Sequence, residues 1–269
     1  MARVTVLGAS GRMGTALIRL IAGSGEHQLV GALAETGDPA LGRDAGQFAG
    51  VDPLGVQIVA DLVGALRNCE VAIDFTAPQA AERHAAACAA GGHALVLGTT
   101  GLQEAQVAAL RAAAGRIPVL HARNMSLGIT VLTELVRQAV TLLGPEFDVE
   151  ITEAHHRLKK DAPSGTALQL GESAAAARGR QLAEVAVYAR PALADGARTP
   201  GAIGFAAVRA GAIVGDHTVL LAGAEEVLEL THRATDRALF ARGALRAAGW
   251  LAGRAPGLYS LREVLGLPA

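Results

Sequence analysis

The stretch that decides the fold is Val4-Thr5-Val6-Leu7-Gly8-Ala9-Ser10-Gly11-Arg12-Met13-Gly14. It predicts a strand of apolar and β-branched residues, a glycine-rich turn and the start of a helix. In that setting, backbone N–H groups of the turn and the helix dipole bind a pyrophosphate. Ser10 stands where the strict G-x-G-x-x-G fingerprint has glycine, so an ordinary strand-to-helix turn is the alternative interpretation.

Glu35 favours a dinucleotide. It lies 21 residues after Gly14, at the predicted end of the second strand, where a carboxylate accepts both ribose hydroxyls. Thr36 follows it, and no adjacent arginine is present to pair with a 2′-phosphate. NADH is therefore the favoured cofactor, and NADPH is a possible one through Arg12 or Arg43. The alternative is that Glu35 is a solvated charge at a strand end.

Short apolar runs alternate with alanine-rich helical patterns through the first 121 residues. The predicted strands are residues 4–7, 29–33, 56–59, 71–75, 94–97 and 117–120. Predicted helices at 13–22 and 79–90 connect them. Continuous apolar strands joined through helices are typical of a parallel sheet with both faces covered. We therefore predict an α/β fold with a doubly wound, parallel, Rossmann-type sheet.

The pattern changes after a helix that is predicted to end at Gly144-Pro145. Residues 147–154 alternate between apolar and polar, and the runs 204–209, 218–222 and 227–232 follow without long helices between them. These runs predict a second α+β domain built on a mixed sheet. We assign residues 1–126 plus 236–269 to the dinucleotide-binding domain and 127–235 to the second domain, with Asp236 capping the last long helix.

Composition excludes several classes of protein. Of 269 residues, 51% are hydrophobic and 18% are charged, a balance that excludes wholesale disorder. The formal net charge of −1 provides no general field for nucleic acid or an anionic membrane. We expect a cytoplasmic protein, because neither a signal-peptide pattern nor a membrane helix is evident. Cys69 and Cys88 lack metal-site spacing and are predicted to pack in the core.

A basic segment within residues 150–166 is the candidate chemical site. It concentrates the titratable or basic groups His155, His156, Arg157, Lys159 and Lys160. Histidine titrates near neutral pH, and catalytic groups are often carried on such loops, although a solvated loop is the simpler alternative. Next to it, Ser164 is a candidate N-cap, and the N–H groups of Gly165 and Thr166 would bind a carboxylate.

Two other chemistries fit this segment less well. Glu153 and His155 would share a strand face and could ligate a metal, but two neighbouring lysines would repel a divalent cation. We therefore predict no metal. Ser164 lacks the G-x-S-x-G context of a serine nucleophile.

The sequence resembles the 4-hydroxy-tetrahydrodipicolinate (dihydrodipicolinate) reductase family over nearly its whole length. The resemblance rests on Gly8 to Gly14, Asp74-Phe75-Thr76, Gly98-Thr99-Thr100-Gly101, Glu153-Ala154-His155-His156-Arg157, Asp161 to Ala167, and Arg209 to Thr218. It implies NAD(P)H-dependent reduction of a small cyclic dicarboxylate with loss of water, on the diaminopimelate route to lysine. It also implies a homotetramer joined through the sheet of the second domain.

The resemblance also implies roles for individual residues. His155 corresponds to a proton donor or acceptor and Lys159 to a second proton donor. Substrate-binding positions are His156, Gly165 and Thr166. Cofactor contacts are Gly8, Ala9, Ser10, Gly11, Arg12, Met13, Glu35, Gly98, Thr99, Thr100, Ala122, Arg123, Asn124 and Met125. Thr36 replaces an arginine of some members, which argues against strong use of NADPH.

Two other functions are open from sequence. One is another two-domain NAD-dependent dehydrogenase that acts on an aldehyde or an amino acid. The second is an NAD(H)-sensing regulator, although no basic DNA-reading element is evident.

Overall fold

The computed structural model describes residues 1–190 and 198–267. These residues form the strands β1 Ala2–Leu7, β2 His27–Leu33, β3 Ile58–Val59, β4 Val71–Asp74, β5 Ala94–Leu97, β6 Pro118–His121, β7 Asp148–His155, β8 Ala186–Val187, β9 Ile203–Arg209, β10 Gly215–Ala222, β11 Val227–Ala234 and β12 Gly257–Tyr259. The α-helices are α1 Arg12–Ala22, α2 Ala45–Ala49, α3 Leu62–Leu66, α4 Ala81–Gly91, α5 Glu104–Ala114, α6 Leu127–Leu143, α7 Gly165–Ala177, α8 Leu182–Val185, α9 Ala238–Leu251 and α10 Leu261–Val264.

The chain divides into two compact units. The first is Met1–Ser126 together with Ala238–Ala269, and the second is Leu127–Arg237. The first boundary falls where the sequence suggests it, and the second falls two residues later.

The first unit is built on a seven-stranded sheet in the order β12-β6-β5-β4-β1-β2-β3. Every strand pair in it is parallel. The predicted doubly wound α/β sheet is therefore confirmed, and β12 is a strand that the sequence reading missed. Because all strands run in one direction, the turns after β1, β2, β4, β5 and β6 meet at one edge of the sheet.

Burial explains why the strands of this unit are continuously apolar. Val71, Ile73, Leu95 and Val96 are fully buried, as expected for strands covered on both faces. Cys69 and Cys88 are free thiols in this core, as predicted.

Two predicted strands are shorter in the structure than in the sequence reading. β3 begins at Ile58 instead of Val56, because Gln57 forms only an isolated bridge with Asp44. β4 ends at Asp74 instead of Phe75, because the backbone N–H of Thr76 turns back to the Asp74 carboxylate.

The second unit is built on a five-stranded mixed sheet in the order β11-β10-β7-β9-β8. β10 is antiparallel to β7 and β11, whereas β9 is parallel to β7 and β8. One face packs on α6 and α7 around a core that includes Ile151 and Val219. The alternation along β7 places Val149, Ile151, Glu153 and His155 on this buried face.

The other face of the same sheet bears small, polar and β-branched residues. Thr152, Ala206, Val208, Val227 and Thr231 are exposed on it. In the described part of the chain, every helix is too short or too polar to cross a bilayer.

Candidate active site

The glycine-rich turn after β1 is held tightly against β2. The N–H groups of Gly8 and Ala9 both donate to the Leu33 carbonyl, at 2.9 and 2.7 Å. Gly8 has φ +80°, and a Cβ at Gly14 would lie 2.1 Å from the Gly8 carbonyl oxygen. Both positions therefore require glycine. Gly11 caps α1 without a side-chain hydrogen bond, so the first-turn N–H groups of the helix suit a pyrophosphate.

Two carboxylates lie beyond the end of β2. Glu35 is exposed and follows β2 by two residues. Asp38, which the sequence reading did not single out, accepts a 2.6 Å hydrogen bond from the Ser10 hydroxyl and one of 2.8 Å from the Ala40 N–H. These bonds, that of Ser10 above all, lower the pKa of Asp38 and keep it ionised. Negative charge at this point opposes a 2′-phosphate. Arg43, which the sequence offers as a partner for such a phosphate, stacks on Phe48, with its Cζ 4.8 Å from the centre of the ring.

The remaining predicted cofactor residues follow β5 and β6 at the same edge. The Thr99 hydroxyl donates to the Thr76 carbonyl at 2.9 Å, and Thr100 is exposed. The Asn124 side-chain oxygen accepts from the Ser126 N–H at 2.8 Å. The Met125 side chain is buried. All fourteen predicted cofactor residues therefore lie at the carboxyl edge of the sheet, where open α/β sheets bind their ligands.

In the second unit, a buried carboxylate supports the candidate catalytic histidine. Glu153 Oε2 lies 2.5 Å from His155 Nδ1, and both side chains are buried. Arg209 donates to both Glu153 oxygens, at 2.7 and 2.8 Å, and the Ser164 N–H donates to Oε1 at 3.1 Å. The bond to Glu153 places a proton on Nδ1, which leaves Nε2 of the neutral ring as the acceptor. A Cβ at Gly215 would lie 3.0 Å from that Nε2, so glycine leaves space beside it.

The electrostatics of this group keep Glu153 ionised. Burial acts against ionisation, but hydrogen bonds from Arg209 and His155 outweigh it and hold the pKa of Glu153 below its ordinary value. Burial also lowers the pKa of His155; Glu153 offsets this in part, and the charges of Lys159 and Arg209 add to the lowering.

The loop after β7 is held by ion pairs and backbone bonds. Lys159 Nζ donates to both Asp161 carboxylate oxygens at 2.8 Å. His156 Nε2 lies 3.0 Å from Arg237 Nη2, so it accepts from the guanidinium. Lys160 is exposed. His156 and Lys159 thus lie in the loop that directly follows His155. Lys159 is paired with Asp161, and His156 is hydrogen-bonded to Arg237.

The start of α7 lies at the residues where the sequence predicts a carboxylate site. Ser164 is its N-cap, as expected, and its Oγ accepts from the Ala167 N–H at 3.2 Å. Gly165 and Thr166 occupy the first two helical positions. The helix dipole and the N–H groups at the start of a helix favour a carboxylate there.

A second buried histidine contacts the N-cap residue of α7. His217 Nε2 lies 3.0 Å from Ser164 Oγ, and the His217 and His155 rings meet edge to face at 5.1 Å. Burial, with the nearby charge of His155, lowers the pKa of His217 to about 4. This imidazole is therefore neutral near pH 7.

Sequence reasoning missed four members of this site: Asp161, Arg209, His217 and Arg237. Asp161, Arg209 and His217 belong to the motifs that carry the family resemblance, but no role is predicted for them from sequence. The pairing register joins them to the site: Arg209 is opposite His155, and His217 is opposite Glu153. The expectation that Glu153 and His155 share a strand face holds, but Arg209 takes the carboxylate that a metal would need. Among residues 1–190 and 198–267, no cluster of His, Cys, Asp or Glu is suited to a metal ion.

The fold and the site together define the class of protein. A parallel sheet with a glycine-rich turn, and a second sheet with a carboxylate-supported histidine, are features of two-domain oxidoreductases that bind a dinucleotide.

Comparison with known proteins identifies the family within that class. The chain matches the family descriptions "Dihydrodipicolinate reductase, N-terminus" over residues 2–125 and "Dihydrodipicolinate reductase, C-terminus" over residues 128–265. It is 51% identical over 267 residues to the 4-hydroxy-tetrahydrodipicolinate reductase of Anaeromyxobacter dehalogenans. The alignment covers 99% of this chain and 98% of the relative. The enzyme of the same name from Halorhodospira halophila is 50% identical over 264 residues, 98% of each chain. The chain therefore belongs to the dihydrodipicolinate reductase family.

A solved structure agrees on the fold. The dipicolinate-bound dihydrodipicolinate reductase from Paenisporosarcina sp. TG-14 aligns with a TM-score of 0.76 at 23% identity, and the alignment covers 97% of both chains.

Proposed function

We propose that this chain reduces 4-hydroxy-tetrahydrodipicolinate to tetrahydrodipicolinate with NADH or NADPH in lysine biosynthesis. The substrate loses water, and the ring then gains a hydride on carbon and a proton. The observation that carries the proposal is the Glu153–His155 pair beside the α7 start, within a chain about 50% identical to named reductases.

The first unit suits a reduced nicotinamide dinucleotide. When bound, that cofactor supplies the hydride. The turn from Gly8 to Met13 and the α1 start would hold the pyrophosphate, and Glu35 would accept the ribose hydroxyls. Glu35 and ionised Asp38 support a preference for NADH over NADPH, because both would repel a 2′-phosphate.

The second unit suits a small dicarboxylate. The N–H groups of Gly165 and Thr166 would bind one carboxylate at the start of α7. His156 would donate to the other once substrate replaces its contact with Arg237. Two negative charges removed from water need such donors and cations.

His155 and Lys159 are the proposed acids. The bound dicarboxylate raises the pKa of His155, so Nε2 takes a proton when the substrate is present. Glu153 holds the ring and stabilises the imidazolium. Lys159, released from Asp161 by the substrate, is the other candidate donor of this one proton.

We also propose that the chain forms a homotetramer through the sheet of the second unit. The exposed β-branched and small residues of that sheet, such as Val208 and Val227, support this arrangement. Light scattering on the purified protein tests it: four times the mass of the chain is expected, and a monomer contradicts it.

The test of the function is a coupled assay. Aspartate semialdehyde, pyruvate and the synthase that condenses them are mixed with this protein, and the absorbance of NADH or NADPH is followed. Oxidation that needs all components is expected, and it should be faster with NADH. No oxidation of either cofactor contradicts the proposal, and oxidation of NADH with the semialdehyde alone indicates an enzyme that reduces the aldehyde to an alcohol instead.

A further inference from the structure

A buried hydrogen bond between a histidine and a carboxylate lies beneath the turn that follows β4. His84 Nδ1 is 2.7 Å from Asp74 Oδ2. The Asp74 side chain is fully buried, and that of His84 is 2% exposed. The Nε2 atom of His84 is buried with no hydrogen-bond partner in the described residues. Such a pair is weak support for stability, because burial removes both polar groups from water and the hydrogen bond between them offsets that cost only in part. Its presence in the core therefore calls for another role.

The second oxygen of Asp74 fixes the turn itself. Oδ1 accepts the Thr76 N–H at 2.7 Å and the Thr76 hydroxyl at 2.6 Å. With His84 on one oxygen and Thr76 on the other, the carboxylate cannot rotate without losing a bond. The conformation of Phe75 and Thr76 is thus tied to a histidine on α4.

This turn touches both glycine turns that flank it. A Cβ at Gly8 would lie 2.8 Å from Thr76 Cγ2, and a Cβ at Gly98 would lie 2.2 Å from the Phe75 ring. The Thr99 hydroxyl also donates to the Thr76 carbonyl. The three turns at the carboxyl ends of β1, β4 and β5 are therefore packed into one layer, with the β4 turn in the middle.

We propose that Asp74 and His84 are positioning residues for the cofactor site. The His84–Asp74 pair sets the β4 turn, and the side chains of Phe75 and Thr76 set the spacing of the Gly8 and Gly98 turns, which receive the dinucleotide. The inference rests on the proposed function, because it takes these turns to hold NADH. It predicts that the His84–Asp74 pair affects the binding of the cofactor and does not affect the binding of the dicarboxylate.

Three variants test this role. His84→Leu keeps the size of the residue and removes the donor to Asp74. His84→Asn keeps an N–H at the place of Nδ1. Leu110→Val, a buried substitution on α5 in the same core cluster, is the matched control for lost stability. The measurements are the NADH dissociation constant by fluorescence, KM for each substrate and the melting temperature.

We expect His84→Leu to weaken NADH binding about tenfold, because the buried hydrogen bond that fixes the β4 turn is lost. KM for NADH rises with it, whereas KM for the dicarboxylate stays unchanged. His84→Asn binds NADH within about twofold of wild type. Leu110→Val lowers the melting temperature and leaves NADH binding unchanged.

Two results overturn the inference: unchanged NADH binding in His84→Leu, or equal weakening in Leu110→Val at the same loss of melting temperature. If His84→Leu does not fold, Thr76→Val removes a bond to the same carboxylate, and unchanged NADH binding in that variant is also contrary to the inference. A wild-type protein that binds neither NADH nor NADPH refutes the proposed function instead.

Discussion

Glu153 and His155 are two residues apart on one face of β7, and a 2.5 Å hydrogen bond joins the carboxylate to Nδ1 of the ring. The strand thus holds the proposed acid and the group that orients it in fixed register. Arg209, on the neighbouring strand β9, neutralises the carboxylate and keeps its pKa low. The imidazole is therefore supported by an ionised carboxylate, and its other nitrogen is left for the substrate.

Replacement of Glu153 by Gln should shift the pH profile of kcat/KM. Glu153 raises the pKa of His155, so its loss lowers that pKa further. Because the proposed acid acts in its protonated form, kcat/KM falls as pH rises through the pKa of His155, and in Glu153→Gln this fall moves to lower pH. Initial rates from about pH 5 to 8 measure it.

The matched control is Glu150→Gln, on the opposite face of β7. Glu150 pairs with Arg190 and Arg198, so its replacement also removes ion pairs from this strand. Its profile should keep the wild-type midpoint. A midpoint that is unmoved in Glu153→Gln, or that moves to higher pH, refutes the role given to the carboxylate.

Lys159→Ala should lower kcat by roughly 10² to 10⁴, the usual contribution of a general acid. Lys160→Ala removes the same charge from the adjacent, exposed position and should leave kcat within about twofold, because a solvated charge contributes little. The measurement is the steady-state kcat of both variants. Equal losses in the two variants assign the effect to the general charge of the loop, and a wild-type rate in Lys159→Ala removes Lys159 from the chemistry.

Glu35→Gln should improve the use of NADPH relative to NADH by about tenfold, because one charge that repels the 2′-phosphate is lost. The comparison is the ratio of kcat/KM for the two cofactors. Glu26→Gln, an exposed carboxylate at the opposite end of β2, is the control and should leave the ratio unchanged. The ribose role of Glu35 is wrong if both variants have the wild-type ratio.

His217 should make the protein less stable in acid. Its pKa is lowered from 6.5 to about 4, so between these values the unfolded chain binds a proton that the folded chain does not. The free energy of unfolding therefore decreases as pH falls through this window, by about 3 kcal/mol from this residue. His217→Gln keeps a donor toward Ser164 and does not titrate.

Urea unfolding at several pH values measures that difference. Wild type should lose about 3 kcal/mol more than His217→Gln between pH 7 and 4, and the two should be similarly stable at pH 7. If the free energies of unfolding of wild type and His217→Gln change with pH in parallel, His217 is not neutral and buried as described.

Much of the fold follows from the sequence, because periodicity and glycine turns are local signals. The runs that form β1 to β7 and β9 to β11, the helices α1, α4, α6 and α9 and the change to a mixed sheet were predictable, whereas the two-residue strand β8 was not. β12 was missed because Gly257–Tyr259 is too short to show a pattern, and it forms only by pairing with β6. β4 ends at Asp74 because the Asp74 carboxylate accepts a hydrogen bond from the Thr76 N–H. A run of apolar residues in the sequence does not reveal such a bond.

The site was predictable where its residues are neighbours in sequence. His155, His156, Lys159 and the α7 start lie in one segment. Arg209 and His217 reach Glu153 and Ser164 only through strand register, over 56 and 53 residues. Asp38 joins Ser10 across a turn that no spacing rule describes.

The most direct test of the central claim is kcat of His155→Asn in the coupled assay. Asparagine keeps an N–H for Glu153 in the place of Nδ1 and removes the nitrogen that would carry the proton. The account predicts a loss of roughly 10² to 10⁴ in kcat with unchanged NADH binding. A variant that turns over at the wild-type rate contradicts it.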